Sequence, residues 1–129
     1  MSLQSVETRT AYIHILENGI VKSITRSGAE QTLQDAIENM EATFKLVPDR
    51  KLLLLVDLSG LKSQTAEART YYSSDEEINK KVIAVAICSN TRIGNLISNF
   101  YLKINKPIVP FRLFSNETKA IDWLLKQAC

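Results

Sequence analysis

Cysteine, histidine and glycine are scarce in this chain of 129 residues. Two cysteines, Cys88 and Cys129, and one histidine, His14, supply neither a disulfide framework nor the ligands of a structural zinc site. No glycine-rich phosphate loop and no G-x-S-x-G segment occurs, so the usual signatures of nucleotide enzymes and α/β-hydrolases are missing. We therefore expect a protein that is not an enzyme and that uses no cofactor and no metal.

Charge of one sign and long apolar runs are also limited. Sixteen lysines and arginines against fourteen aspartates and glutamates leave a formal net charge of +2, well short of the concentrated basic surface of a nucleic-acid binder. The longest aliphatic run, Leu52 to Val56, is too short to span a bilayer, and the first residues show no basic region followed by an apolar one. These features predict a cytoplasmic protein with no integral membrane segment and no nucleic acid partner.

Prolines and glycines occur as isolated residues, so no stretch is typical of a linker between domains. A chain of this length can bury a single hydrophobic core. The sequence therefore predicts one domain over residues 1–129, with an ordered core from about residue 10 to residue 127.

The N-terminal half shows three clear patterns. Two β-rich runs are separated by Asn18-Gly19, which predicts a hairpin. Ser27 or Thr32 could begin the next element, a helix, and we favour Thr32 because apolar residues recur with helical spacing directly after it. Lys51–Asp57 is an aliphatic run bounded by charges, which is typical of a central strand buried on both faces. The helical apolar positions are Leu33, Ala36, Ile37, Met40 and Phe44.

The C-terminal half alternates helices and strands. Pro110 lies inside its last strand and therefore places that strand at an edge of the sheet. The predicted elements are a turn at Leu58–Gly60, a short helix at Ala66–Tyr72 capped by Ser63 or Thr65, a helix start at Ser74, a strand at Val82–Cys88, a helix from Ile93 to Ile104 that ends at Lys106-Pro107, a strand at Ile108–Phe114, and a helix capped by Ser115 that buries Ala120, Ile121, Trp123, Leu124 and Leu125.

This order of elements predicts an α/β fold with a mixed, mostly parallel sheet of five strands, opened by a β-hairpin and accompanied by about four helices. Ligands of such sheets meet the loops at the carboxyl ends of the strands, here the segments after Asp57, Cys88 and Phe114. Polar side chains near these ends are our candidates for an interaction or ligand surface, and they are Asp57, Ser59, Thr65, Arg69, Tyr72, Asn99 and Arg112.

The arginines among them have two interpretations. An arginine beside Asp57 could form a buried ion pair that fixes a loop, or its guanidinium could receive an anionic ligand. Asp57 followed by Ser59-Gly60 is also what an ordinary turn at the end of a strand looks like, which favours a structural role for Asp57.

The run Leu53–Leu61, with its Asp-Leu-Ser-Gly segment, resembles the STAS domain, the fold of bacterial anti-sigma-factor antagonists of the SpoIIAA type. The resemblance spans roughly Tyr12 to Leu125 and implies the fold and the protein-binding role of that family. Four further motifs look like a STAS-like group of uncharacterised bacterial proteins, namely Ala66-x-x-Arg69-x-Tyr71-Tyr72, Asn99-Phe100-Tyr101, Pro110-x-Arg112-Leu113-Phe114 and Ala120-Ile121-Asp122-Trp123-Leu124.

One segment departs from the STAS antagonists. Their Asp-Leu-Ser-Gly is followed, at the start of the next helix, by a serine whose phosphorylation releases the partner. That segment falls on residues 65–68 here, Thr-Ala-Glu-Ala, which contain no serine. The resemblance therefore implies a binding surface without the phospho-switch, and Thr65 is either a substitute acceptor or, more simply, a helix cap.

Two functions follow as expectations. The first is a non-enzymatic module that self-associates as a homodimer or binds a regulatory protein through the loop and helix from Leu58 to Tyr72. The second is the binding of a small apolar or anionic ligand, lipid-like in character, between the Ile93–Ile104 helix and the sheet. In that case Arg69 or Arg112 would hold its polar end.

Overall fold

The structure, a computed structural model, describes residues 4–103 and 109–128 except for the side chain of Leu102. In these residues, six strands form one sheet in the order β1-β2-β3-β5-β7-β8, and β4 and β6 form a separate parallel pair. The strands are β1 (Ser5–Glu7), β2 (Ala11–Ile15), β3 (Val21–Thr25), β4 (Ala29–Gln31), β5 (Leu52–Asp57), β6 (Leu61–Gln64), β7 (Val82–Cys88) and β8 (Phe111–Phe114), and the helices are α1 (Leu33–Leu46), α2 (Ala66–Ser74), α3 (Glu76–Lys81), α4 (Arg92–Leu102) and α5 (Glu117–Gln127).

The predicted α/β class and the mostly parallel sheet are confirmed. Strands β1, β2 and β3 pair antiparallel, and β3, β5, β7 and β8 pair parallel. The predicted count of five strands is wrong, because β1 adds a sixth strand at the edge of the sheet. With three residues, β1 is too short to show an alternating pattern. The structure also contains five helices in the described part of the chain, one more than expected.

The hairpin and the start of α1 follow the sequence closely. Gly19 has a φ of +88°, a conformation that suits glycine, and the Leu16 N–H donates to the Ile20 carbonyl across the turn. Thr32 caps α1, as expected: its side chain accepts from the Asp35 N–H, and the Asp35 carboxylate accepts from the Thr32 N–H. This reciprocal pair holds the first turn of the helix in place.

Two other helix starts lie one residue beyond the predicted position. Helix α3 is capped by Asp75 and not by Ser74, and α5 is capped by Asn116 and not by Ser115. In both cases the residue that caps the helix directly follows the serine that the sequence favoured. Serine, aspartate and asparagine all cap helices well, so the sequence alone does not separate two such neighbours. Strand β8 lies at the edge of the sheet, as expected, but it begins at Phe111, so Pro110 precedes the strand and does not lie inside it.

Parts of two predicted elements lie outside the described residues. They are Ile104 and the Lys106-Pro107 end of the helix predicted from Ile93, and Ile108, the first residue of the strand predicted at Ile108–Phe114.

Helices cover the two faces of the sheet unequally. One face, here called the four-helix face, carries Leu54 and Val85 and packs against α1, α2, α3 and α4. The other, the α5 face, carries Leu55 and Ala86 and packs against α5. Leu125 was expected in this core, but its side chain is 39% exposed because it lies beyond the edge of the contact stripe.

Candidate functional site

A cavity of about 80 Å³ lies between the four-helix face and the helices that cover it. We call it the central cavity. Its apolar lining comes from Met40, Leu54, Val56, Leu58, Ile78, Val85, Ile87 and Phe111. Its polar lining comes from Ser23, Thr25, Gln31, Asn39, Thr43, Gln64, Tyr72 and Tyr101. None of these lining residues carries an ionised side chain at neutral pH, so the cavity is apolar with neutral hydrogen-bonding groups.

Gln64 and Gln31 lie within a chain of hydrogen bonds that runs along this cavity. The Tyr101 hydroxyl donates to Gln64 Oε1 at 3.2 Å, and Gln64 Nε2 donates to Gln31 Oε1 at 2.9 Å. Gln31 Nε2 in turn donates to the Thr10 hydroxyl at 3.4 Å. Because β4 ends at Gln31 and β6 ends at Gln64, these bonds tie the small two-stranded sheet to α4 and to the start of β2.

Asn39 continues the chain from the middle of α1. Its Nδ2 donates to the Thr10 hydroxyl at 3.1 Å and to the Tyr72 hydroxyl at 3.4 Å. Tyr72 is therefore joined through Asn39 and Thr10 to the glutamine pair. The linked polar groups satisfy one another in the interior, which removes most of the penalty for burying them.

The polar side of α1 was missed by the sequence analysis. Asp35, Asn39 and Thr43 lie on successive turns of the helix and are only 3–5% exposed, whereas Leu33, which was assigned to the buried stripe, is 37% exposed. The sequence does indicate a shared polar face on α1, because these three polar residues repeat at spacings of four residues beside the apolar stripe.

Asp35 is held by a cation at the edge of this polar row. Arg9 Nε donates to Asp35 Oδ1 at 2.8 Å, and Arg9 Nη2 also donates to the Glu30 carbonyl. The hydrogen bonds from Arg9, with those from Thr32, lower the pKa of Asp35 to about 2. The carboxylate is consequently ionised at any physiological pH.

The two tyrosines that line the cavity are neutral. Burial raises the pKa of Tyr72 to about 12 and raises the pKa of Tyr101 further. Both hydroxyls therefore remain protonated and can donate hydrogen bonds. The Tyr101 proton is used by Gln64, whereas among residues 4–103 and 109–128 no acceptor takes the proton of Tyr72.

Arg69, one of the predicted site residues, lies at the contact between α2 and α4. Arg69 Nη1 donates to the Gln64 carbonyl at 2.6 Å, and its guanidinium carbon lies 5.3 Å from the centre of the Phe100 ring. Asn99 is exposed beside Phe100. Leu96, one turn earlier, is 63% exposed, and Phe100 is 41% exposed.

The apolar stripe that the sequence shows along α4 is only partly buried; it comprises Ile93, Leu96, Ile97, Phe100 and Tyr101. Ile97 and Tyr101 are buried, but Leu96 and Phe100 face solvent. The stripe is wider than the surface that the sheet and β6 offer to this helix. Two large apolar side chains of α4 are consequently left exposed.

Thr65 is exposed and caps α2, accepting from the Ala68 N–H at 3.2 Å. This is the structural role that the sequence favoured for it.

Asp57 and Ser59 build the turn after β5. Asp57 Oδ1 accepts from the Ser59 N–H at 2.9 Å, and within the described residues the carboxylate pairs with neither Arg69 nor Arg112. Gly60 follows because a Cβ there would lie 2.5 Å from the Thr25 carbonyl oxygen. The Asp-Leu-Ser-Gly segment thus serves a close approach between two backbone segments.

Arg112 lies on the α5 face, apart from the central cavity. It is the register partner of Ala86, and its guanidinium carbon lies 5.4 Å from the centre of the Phe114 ring. Arg69 lies on the four-helix side of the sheet. The two arginines therefore cannot hold the same ligand.

The chain's histidine and its internal cysteine are on the α5 face as well. Burial, with Lys22 nearby, lowers the pKa of His14, and its buried Nδ1 has no hydrogen-bond partner among the residues that the structure describes. Burial raises the pKa of the Cys88 thiol to about 11, so it is a poor nucleophile. In the described part of the chain, no three residues of the metal-ligating types come together, and no helix could cross a bilayer.

Comparison with known proteins assigns the fold and the family. Residues 14–128 match the family model described as a domain of unknown function, DUF7793. The chain belongs to the DUF7793 family. No curated protein matches it.

A solved structure matches over most of both chains. It is a crystal structure of an uncharacterised DUF3478 family protein with a SpoIIAA-like fold from Shewanella loihica PV-4. The identity is 13%, the TM-score is 0.61, and the match covers 92% of this chain and 98% of the other. At this identity the likeness shows the fold alone. The SpoIIAA-like fold that the Asp-Leu-Ser-Gly segment implied is thereby confirmed.

Proposed function

We propose that this DUF7793 member is a non-enzymatic protein-interaction module and that its partner docks on α4. The observation that carries the proposal is the exposure of Leu96 and Phe100. They are the most exposed large apolar side chains of the described residues, and they lie one helical turn apart. Together with Asn99 and Arg69 they form a surface that we call the α4 patch. Apolar side chains at this spacing are typical anchors for a partner.

The charges around the α4 patch define the chemistry of the partner. Arg69 lies over Phe100, Arg92 precedes Leu96 by one helical turn, Lys103 follows Phe100 by three residues, and the described α4 sequence contains no acidic residue. A partner with apolar anchors flanked by Asp and Glu would be complementary in charge, which speeds association and disfavours other partners. A second copy presenting the same basic patch would meet repulsion, so we favour a different protein over a symmetric homodimer.

Arg69 is already fixed in place before a partner binds. Its hydrogen bond to the Gln64 carbonyl and its position over Phe100 restrict the guanidinium to one orientation. Side chains that are ordered in the free protein lose less entropy on association. Thr65 caps α2 directly after Gln64, and we propose that this is its role, with binding constitutive and not controlled by phosphorylation at that residue.

The decisive experiment places a photo-crosslinking amino acid, p-benzoyl-L-phenylalanine, at position 100 in cells. The matched control places it at Leu33, which is 37% exposed on α1 outside the patch. We expect position 100, and not position 33, to cross-link one protein through a peptide rich in Asp and Glu, and Leu96→Asp to abolish the cross-link.

Three results would overturn the proposal. A cross-linked peptide from the chain itself would make the patch a contact between copies. Equal cross-linking at position 33 would mean that the contact is not specific to the patch. A partner peptide without acidic residues would refute the charge argument.

A further inference from the structure

We propose that the central cavity is a binding site for a small uncharged organic molecule with an apolar body and one carbonyl or ether oxygen. This site is distinct from the α4 patch, because the Tyr101 side chain is buried and lines the cavity whereas Leu96 and Phe100 are exposed on the same helix. The proposal therefore does not depend on a protein partner.

The lining of the cavity excludes a charged ligand. The strands and helices around it contribute aliphatic and aromatic side chains, and its polar residues are hydroxyls and amides. A carboxylate placed there would be desolvated without a counter-charge, which is strongly unfavourable. Arg69 does not compensate, because its guanidinium is bound to the Gln64 backbone and lies over Phe100. The structure thus favours the apolar ligand of our two sequence-based options over the anionic one.

The hydrogen-bonding groups indicate where the ligand's oxygen would lie. The Tyr72 hydroxyl accepts from Asn39 and keeps its own proton free of any acceptor in the described part of the chain. Ser23 and Thr25 add two more hydroxyls to the lining, from strand β3. A buried hydroxyl without an acceptor favours a bound group that can accept its proton. A carbonyl or ether oxygen does this without introducing charge.

The size of the cavity limits the ligand. Its volume of about 80 Å³ is roughly half that of an engineered apolar cavity of ~150 Å³ that takes up benzene. A ketone smaller than benzene, such as acetone, or the end of a longer neutral molecule, would fit. Water alone is a poor occupant of the apolar side, because a water molecule needs two or more polar partners.

The experiment uses Met40 as the reporter. It is 5% exposed and lines the cavity, and the chain has one other methionine, so its methyl resonance is easily assigned. The full chain carrying ¹³C-methyl methionine is titrated by NMR with acetone and, separately, with acetate, which has nearly the same shape but carries a negative charge. We expect the Met40 methyl resonance to shift saturably with the ketone and to stay in place with the carboxylate.

Paired variants locate the ligand. Tyr72→Phe removes the free hydroxyl and should weaken the ketone's affinity by roughly three- to tenfold. Tyr71→Phe removes a neighbouring hydroxyl that does not line the cavity and should leave the affinity unchanged. Val85→Leu fills part of the cavity and should abolish the saturable shift while the protein stays folded.

Several outcomes would overturn the inference. An absence of any saturable shift with acetone would mean that the cavity holds only solvent. Equal or tighter binding of acetate would refute the uncharged class. Equal effects of Tyr72→Phe and Tyr71→Phe on the affinity would refute a hydrogen bond from the Tyr72 hydroxyl to the ligand. An unchanged saturable shift in Val85→Leu would mean that the ligand binds outside the central cavity.

Discussion

The α5 face of the sheet is packed through small side chains, whereas the four-helix face combines large side chains with buried polar groups. Ala84, Ala86 and Ala120 have no exposed surface, so α5 lies close against the strands. On the opposite face, branched residues and the hydrogen-bonded chain through Asn39 hold the helices at a distance that leaves the central cavity. The comparison shows that one sheet can supply a rigid, filled side and a side with internal space.

Two neighbouring leucines of β5 should give the largest contrast between these faces. Leu55 lies in the α5 core and is completely buried, whereas Leu54 lines the central cavity. We expect Leu55→Ala to lower the free energy of unfolding by about 4 kcal/mol and Leu54→Ala by about 2–3 kcal/mol, because Leu54 already lacks packing partners on one side. Urea unfolding at equilibrium measures both, and equal losses would mean that the two faces are packed alike.

Enlarging two neighbouring residues of β7 tests the same contrast from the other direction. Ala86→Leu inserts volume into the filled face and should cost about 1–3 kcal/mol of unfolding free energy. Val85→Leu adds volume next to the cavity and should change stability by at most about 0.5 kcal/mol. Thermal and urea unfolding of the two variants give the comparison. A large loss in Val85→Leu would show that the cavity cannot accept further side-chain atoms.

The smallest expected effect is an acid sensitivity of the four-helix face. The pKa of Asp35 is about 2 in the folded chain against an ordinary 3.8, so its contribution to stability is complete above about pH 4 and is lost as the pH falls through 2. The effect is limited because the Arg9 side chain is 62% exposed and therefore well screened. Urea unfolding between pH 2 and pH 6 should show a flatter pH dependence for Asp35→Asn than for the parent chain. A parallel pH dependence in the two proteins would show that Asp35 contributes nothing to it.

The parts of the fold that could be predicted are those fixed by local chemistry. Asn18-Gly19 favours a tight turn, and Thr32 with Asp35 forms a capping box at the start of α1. The aliphatic run at Leu52–Val56 is typical of a central strand that is buried on both faces. Strands β4 and β6 were missed because they have three and four residues, and their pairing depends on the turn at Gly60 approaching Thr25. Nothing in the residues near Gly60 alone reveals that contact.

The candidate site was less predictable than the fold for the same reason. Arg69 and Tyr72 were singled out from the sequence, but the sequence does not show that Arg69 belongs to the outer surface of α2 while the Tyr72 hydroxyl reaches Asn39. Gln31 and Gln64 were not considered, although they connect the cavity walls. A cavity arises from the distance between helices and sheet, which depends on many side-chain volumes together and not on any motif.

The order of the strands also has a consequence for how the chain folds. The hairpin of β2 and β3 joins neighbouring residues, but Val21 lies beside Leu54 and Val85 beside Phe111, each pair separated by a long crossover. A two-stranded hairpin alone is marginally stable in water, so the sheet gains stability only when the entropy of closing these crossovers has been overcome. We therefore expect β5 to pair with β3 late in folding. Until then its aliphatic residues are exposed to solvent, and we expect them to be the segment of the newly made chain that is most prone to aggregation.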